Sequence, residues 1–316
     1  MKILFRLFSL AIIFLLVSGS RSTQAFSAQG RWTGHYFIHG TYIPGVSRKK
    51  VAGKGEINVY LPSRYQPAGN PSPLIIALPG WRARSDEWRT KAEVERYAEQ
   101  YGYVVALVEL RTKAYETAYY PETNPRFKWG EIPGTIWAGE VVMPHLHKKY
   151  NVDKTGKKTG IFGLSTGGRG AVYIPQKYPK YFRAGVTMSG DFDRISLLNW
   201  TIKHRKNIMH HDPPSVTIYG DPRNNPRILK RWKDVDNPVS DENVKILLQN
   251  KIAILVIHGL KDYAVPVEMS RELHQKLKAA GVDVRYLEDE IAGHDWYLWK
   301  TYLPLTFQFF EEKFAR

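Results

Sequence analysis

Among the side chains able to do covalent chemistry, Ser165 has the most informative neighbours. It lies in Gly163-Leu164-Ser165-Thr166-Gly167, inside the longer stretch Thr159–Gly170. Gly160 to Gly163 read as the end of a buried strand, and Arg169-Gly170-Ala171-Val172-Tyr173-Ile174 begins a helix-like run. A strand that turns directly into a helix holds the residue between them in a strained conformation. Its neighbours two positions to either side must then lack a side chain to avoid collision. The result is a hydroxyl held at a sheet edge, over a helix start whose free N–H groups face a developing oxyanion. That is the chemistry of a nucleophilic serine. G-x-S-x-G is short enough to recur as an ordinary Gly/Ser turn, so the assignment depends on its partners.

A serine hydroxyl is a weak nucleophile at neutral pH. It needs an imidazole to take its proton and a carboxylate to fix the imidazole tautomer. Where a serine occupies such a turn, the chain order is Ser, acid, His, each in a loop after a strand. Two histidines near the C-terminus qualify. His274 falls inside the amphipathic pattern Val267–Ala280, whereas His294 sits in Ala292-Gly293-His294-Asp295-Trp296, after the last strand pattern, and is the base. The preceding strand pattern, Ile252–His258, runs into Gly259-Leu260-Lys261-Asp262, which makes Asp262 the acid. An isolated loop aspartate is usually a turn former; its arrival in the right order after its own strand is what selects this one. The oxyanion donors are then the N–H of Thr166, which follows the nucleophile, and that of Trp81 in Pro79-Gly80-Trp81, the loop after Leu74–Leu78.

The elements that must carry these loops are legible in outline. Leu74–Leu78 and Ile252–His258 are continuous apolar runs, as expected of strands covered on both faces. Glu56–Pro62, Tyr103–Leu110, Tyr181–Ser189 and Val282–Leu287 are further strand patterns, and Trp32–His39 reads as an edge strand or arm. Helical patterns cover 85–102, Thr135–Tyr150, Val267–Ala280 and Tyr297–Phe314. Strands and helices alternate from Leu74 onward, which predicts a mostly parallel sheet flanked by helices. Residues 111–135 form an irregular loop with Tyr115, Tyr119, Tyr120, Phe127 and Trp129, and 190–250 read as an inserted set of helices and loops. Trp81, Trp137 and Trp296 border the catalytic segments; core packing is the default for each, and an aromatic cleft is the reading under which Trp137 and Trp296 contact substrate.

The chain has 316 residues, 43% hydrophobic, enough for one large domain over 26–316. Residues 1–25 stand apart: Lys2 and Arg6 precede the apolar run Leu7–Val17, followed by small residues up to Ala25. This is the pattern of a cleaved signal peptide, the apolar run being shorter than the ~20 residues that span a bilayer. A periplasmic or secreted location follows as an expectation. No cysteine is present, so no disulfide supports the fold and no thiolate binds a metal. The net charge is +16; residues 1–25 contribute Lys2, Arg6 and Arg21 and no acid, leaving +13 without them. Spread basic charge suits an anionic envelope or polysaccharide surface, while no nucleic-acid motif appears. His145 and His147 are two apart on a helical pattern and face different ways, and His210-His211-Asp212 precedes two prolines as a polar loop. Neither makes a metal site, and with no dinucleotide or phosphate-loop signature no cofactor is expected.

Taken together, Val59-Tyr60-Leu61-Pro62, Leu78-Pro79-Gly80, the Ser165 turn, Ser189-Gly190-Asp191, His258-Gly259-Leu260-Lys261-Asp262 and Gly293-His294-Asp295-Trp296 resemble the esterase D-like family of α/β-hydrolases. The likeness covers roughly residues 55–315. Many relatives carry His-Gly where this chain has Pro79-Gly80-Trp81. The resemblance implies an α/β-hydrolase fold and hydrolysis of a small-molecule or saccharide carboxylic ester through an acyl-serine, with Ser165, Asp262 and His294 in the matching places. Acyl transfer to an envelope sugar or lipid would use the same triad. A serine peptidase of the prolyl oligopeptidase type ranks lower for want of a preceding propeller. A binding module on a retired scaffold is disfavoured by the intact triad.

Overall fold

Strand β4 (Leu74–Leu78) is buried at every position. Its side chains alternate between two cores: Leu74, Ile76 and Leu78 face one, Ile75 and Ala77 the other. A strand covered on both faces has no polar side, which is why it reads as an unbroken apolar run. The structure, a computed structural model, describes residues 30–42, 51–109, 115–119, 121–124, 132–204, 216 and 220–315. The proposed signal peptide, part of the aromatic loop including Tyr120, Phe127 and Trp129, and His210-His211-Asp212 lie outside the described residues.

Around β4 the chain builds a nine-stranded sheet. The other strands are β1 (Arg31–Trp32), β2 (Tyr36–Tyr42), β3 (Val51–Leu61), β5 (Val104–Glu109), β6 (Thr159–Leu164), β7 (Ala184–Met188), β8 (Ala253–Gly259) and β9 (Val284–Asp289). Their order is β1-β3-β5-β4-β6-β7-β8-β9, with β2 also paired to β3. Strands β4 to β9 pair in parallel, while β3 runs antiparallel to β5 and carries β1 and β2 as antiparallel ribbons. Strand β4 lies between β5 and β6, so the connections leave it in opposite directions. Open parallel sheets present their binding crevice at the carboxyl ends of strands at such a switch point. Pro79-Gly80-Trp81 follows β4 there, and Ser165 follows β6.

One face of the sheet is covered by Thr166–Lys177 and by the helical stretch 134–149; the other by 87–101 and Leu303–Phe314. Several helices differ in detail from their sequence patterns. Residues 85–102 form two helices, Glu87–Thr90 and Val94–Tyr101, separated at Glu93, which is left-handed with φ 51°. The pattern Tyr297–Phe314 divides into Trp296–Thr301 and Leu303–Phe314. Pro304 brings no N–H to donate, which suits the first turn of a new helix and not the interior of an old one. Within 134–149 the turns Trp137–Val142 widen to a π-helix just before Met143-Pro144; the missing Pro144 N–H breaks the regular ladder there. Strand β7 begins at Ala184 and not at Tyr181, because Pro179–Tyr181 closes a 3₁₀ turn. Between β7 and β8 lie three helices among the described residues: Arg194–His204, Pro226–Asp234 and Asp241–Gln249. Among the described residues no helix is long and apolar enough to cross a membrane.

Candidate active site

Ser165 joins β6 to the helix Thr166–Lys177 with φ 54° and ψ −124°, a conformation that L-residues rarely adopt. Three contacts hold it there. Its N–H donates to Met188 O on β7 at 2.8 Å, and its carbonyl accepts from Arg169 N at 3.1 Å. The flanking glycines supply the third, through close approach of backbone to backbone. A Cβ on Gly163 would lie 2.4 Å from Gly167 O, and one on Gly167 would lie 2.4 Å from Pro79 O. The turn therefore packs against both the start of its own helix and the loop after β4, which is the physical content of the G-x-S-x-G spacing. The helix begins at Thr166, three residues earlier than its sequence pattern, so the Thr166 N–H belongs to the first turn, where no intrahelical acceptor exists.

Asp262 and His294 meet across the ends of β8 and β9. His294 Nδ1 lies 2.7 Å from Asp262 Oδ2, with the Asp262 side chain fully buried and that of His294 13% exposed. Asp262 Oδ1 accepts from Ala264 N and Val265 N, each at 2.8 Å. A second imidazole also reaches the carboxylate: His258 Nε2 lies 3.2 Å from Oδ2. Burial alone would raise the Asp262 carboxyl, but the hydrogen bonds from His258 and His294 outweigh it and hold the group well below the usual carboxylate range. Asp262 is thus an anion in the folded protein. His294 must carry its proton on Nδ1 to donate to it, which leaves the Nε2 lone pair for a substrate or nucleophile proton.

Ser165, Thr166, Trp81 and His294 border one cleft with a cavity volume of about 310 Å³. No hydrogen bond joins Ser165 Oγ to the ring among those of the described residues. Serine–imidazole contacts of resting sites are commonly long and tighten with substrate. The remaining wall is mostly apolar: Gly80, Ala83, Leu164, Leu197, Ala264, Val265, Trp296 and Trp299. Trp296 is in this wall as expected from its position, packed edge-on against Trp88 and Trp299 with ring centroids 5.2 Å from each. Trp137 is not. It is 2% exposed in the core beneath β3, where its ring fills the space left by Gly55, 2.5 Å from where a Cβ on that glycine would stand. Sequence adjacency to the aromatic loop misled here, because the residue that makes room for Trp137 lies on a distant strand.

Three features of the site escaped the sequence. Trp299 and Leu197 reach the cleft from helices whose register only packing determines. Asp191, just past β7, also lines it; burial pushes its carboxyl upward, against the pull of Arg169 and Arg194. His258 was visible as a polar residue ending an apolar strand, four positions before the acid, which is the signal that would have found it. The region is tied down from behind by Arg169, one turn into the helix after Ser165 and fully buried. Its guanidinium donates to Asp191 O at 3.1 Å, to Phe192 O at 2.8 Å and to Asp236 O. Nearby, Arg194 pairs with Glu116, and Arg231 Nε lies 3.3 Å from Asp236 Oδ2. Burial and the adjacent Glu116 push Asp236 well above the usual carboxylate range. This buried polar cluster joins the inserted helices to the helix that follows Ser165. No group of acidic or histidine side chains with metal-binding geometry occurs among the described residues.

A family model described as putative esterase matches residues 49–310. An acetyl esterase from Caldicellulosiruptor saccharolyticus is 26% identical over 238 residues, 74% of this chain and 81% of that protein. Among solved structures, a ferulic acid esterase superposes with a TM-score of 0.58 at 19% identity, covering 89% of this chain and 98% of the other. FphF, a fluorophosphonate-binding serine hydrolase from Staphylococcus aureus, superposes with a TM-score of 0.61 at 15% identity, covering 87% and 98%. With a family match across most of its length, the chain belongs to the putative esterase family, and its fold is that of the α/β-hydrolases.

Proposed function

We propose that the protein hydrolyses short-chain carboxylic esters, acetyl esters foremost, through an acyl-enzyme on Ser165. The observation that carries this reading is the His294–Asp262 hydrogen bond of 2.7 Å beside a serine held at φ 54° in the same cleft. In the proposed sequence Ser165 Oγ attacks the ester carbonyl while His294 Nε2 takes its proton. The N–H groups of Thr166 and Trp81 receive the oxyanion. Collapse of the tetrahedral intermediate breaks the ester C–O bond, and His294 returns the proton to the leaving alcohol oxygen. Water, deprotonated by His294, then attacks the acyl-serine and releases the acid. Asp262 stays ionised throughout, orienting His294 and stabilising its charged form.

The acyl preference rests on the acetyl esterase relative and on the modest, tryptophan-walled cleft. A hydroxylated or saccharide alcohol is proposed for the leaving side. Export is proposed from the sequence of residues 1–25, with the basic surface suited to an anionic envelope. The substrate reading is checked with p-nitrophenyl esters of increasing acyl length. The kcat/KM is expected to be highest for acetate and to fall at least about tenfold by octanoate, since the longer chain outgrows the cavity. A preference that rises with chain length would contradict it.

A further inference from the structure

The acid of this site is held by two imidazoles. His258 closes β8, four residues before Asp262, and is wholly buried. Its ring touches three polar atoms: Asp262 Oδ2 at 3.2 Å and Val265 O at 3.1 Å from Nε2, and Ser270 Oγ at 2.7 Å from Nδ1. Both neighbours of Nε2 are oxygens that only accept, so Nε2 carries a proton, bonded to Val265 O with the Asp262 carboxylate close beside it. Nδ1 meets the Ser270 hydroxyl, which is able to donate to it. Both ring nitrogens have a polar partner.

We infer that His258 is a positioning residue for the esterase reaction, holding the Asp262 carboxylate in place and sharing the negative charge that His294 draws on. The inference rests on the assignment of Asp262 and His294 as acid and base. Asp262 Oδ2 accepts from His294 and lies 3.2 Å from His258 Nε2, whereas Oδ1 is occupied by the backbone N–H groups of Ala264 and Val265. Three donors and the Nε2 edge of the His258 ring converge on one carboxylate and restrict its rotation. Ser270 Oγ, the His258 ring and the Asp262–His294 pair thus extend the orienting contacts to the helix Glu268–Ala279. Other charged groups near His258 are balanced. Glu288, its register partner on β9, is bound by Arg271 Nε at 2.6 Å and by Nη2 at 2.9 Å.

Removing the His258 ring nitrogen leaves the carboxylate less firmly fixed, and a poorly oriented carboxylate positions His294 less well, which lowers kcat. In His258→Phe the kcat on p-nitrophenyl acetate is expected to fall about tenfold with KM nearly unchanged, the size set by one hydrogen bond to a charged group. In His258→Gln, whose amide N–H can replace the lost donor, kcat is expected to return most of the way to wild type. A merely structural role predicts a lower melting temperature with kcat, KM and the pH profile of the folded protein unchanged, and that result overturns the inference. Should His258→Phe fail to fold, ¹⁵N NMR of the wild-type imidazoles decides. A neutral Nε2–H tautomer on His258 supports the inference, and a Nδ1–H tautomer overturns it. His294→Ala serves as the separate control: full activity in that variant refutes the acid–base assignment itself, whatever His258 does.

Discussion

Substituting Ser165 by alanine is expected to lower kcat on p-nitrophenyl acetate by about 10⁶-fold, the loss that follows when a nucleophile working as a unit with its base is removed. The fold should survive the change. Alanine retains the Cβ that serine already places at φ 54°, so the backbone strain of the turn is the same in both proteins. The bonds that fix the turn, Ser165 N–H to Met188 O and Arg169 N–H to Ser165 O, are backbone bonds and remain. Thermal melting of Ser165→Ala should therefore match wild type closely while hydrolysis disappears. Retained hydrolysis in a folded variant would place the nucleophile elsewhere.

Asp262→Asn is the second large effect, about 10⁴-fold in kcat by the logic of a wrongly protonated imidazole. The structure makes the asparagine choose between two poor arrangements. If its oxygen stays on the Ala264 and Val265 N–H groups, its NH₂ faces His294 Nδ1 and His258 Nε2. His294 must then shift its proton to Nε2, which abolishes the base. If the amide flips, NH₂ meets two backbone N–H groups that have lost their acceptor, at a cost of roughly 1–3 kcal/mol for each. Either way the site is damaged without a change of side-chain size. A stability consequence accompanies it. The Asp262 carboxyl is held below its ordinary value in the folded state, so its contribution is present at neutral pH and is lost as pH falls below about 4. Urea unfolding measured from neutral pH downward should show wild type losing stability in that acid range more steeply than Asp262→Asn. Parallel curves would mean that the carboxylate is not stabilised as the geometry implies.

What the sequence could and could not convey follows from the range over which each contact acts. Ser165, Asp262 and His294 can be picked out as candidates because each stands in a loop next to its own strand, and strand order along the chain tells which loops share a sheet end. The glycines at 163 and 167 were legible for a local reason, the collision that a side chain would cause within the turn. Trp137 was not, since its environment is set by Gly55 on β3, more than eighty positions away. The same holds for Arg169, whose three carbonyl partners include Asp236, 67 positions along the chain between two of the inserted helices. Helix breaks at Glu93 and before Pro304 lay within patterns whose apolar periodicity continued across them. His258 is intermediate: its spacing from Asp262 is readable in the sequence, but the corner that folds its ring back onto the carboxylate is a tertiary fact.

The central claim is that one serine hydroxyl, activated by His294, is the site of covalent catalysis. Its most direct test is intact-mass analysis after treatment with a fluorophosphonate, followed by peptide mapping. A single adduct per chain on Ser165, absent from Ser165→Ala and strongly slowed in His294→Ala, is the result predicted. An adduct on another residue, or equal labelling of wild type and Ser165→Ala, would contradict it.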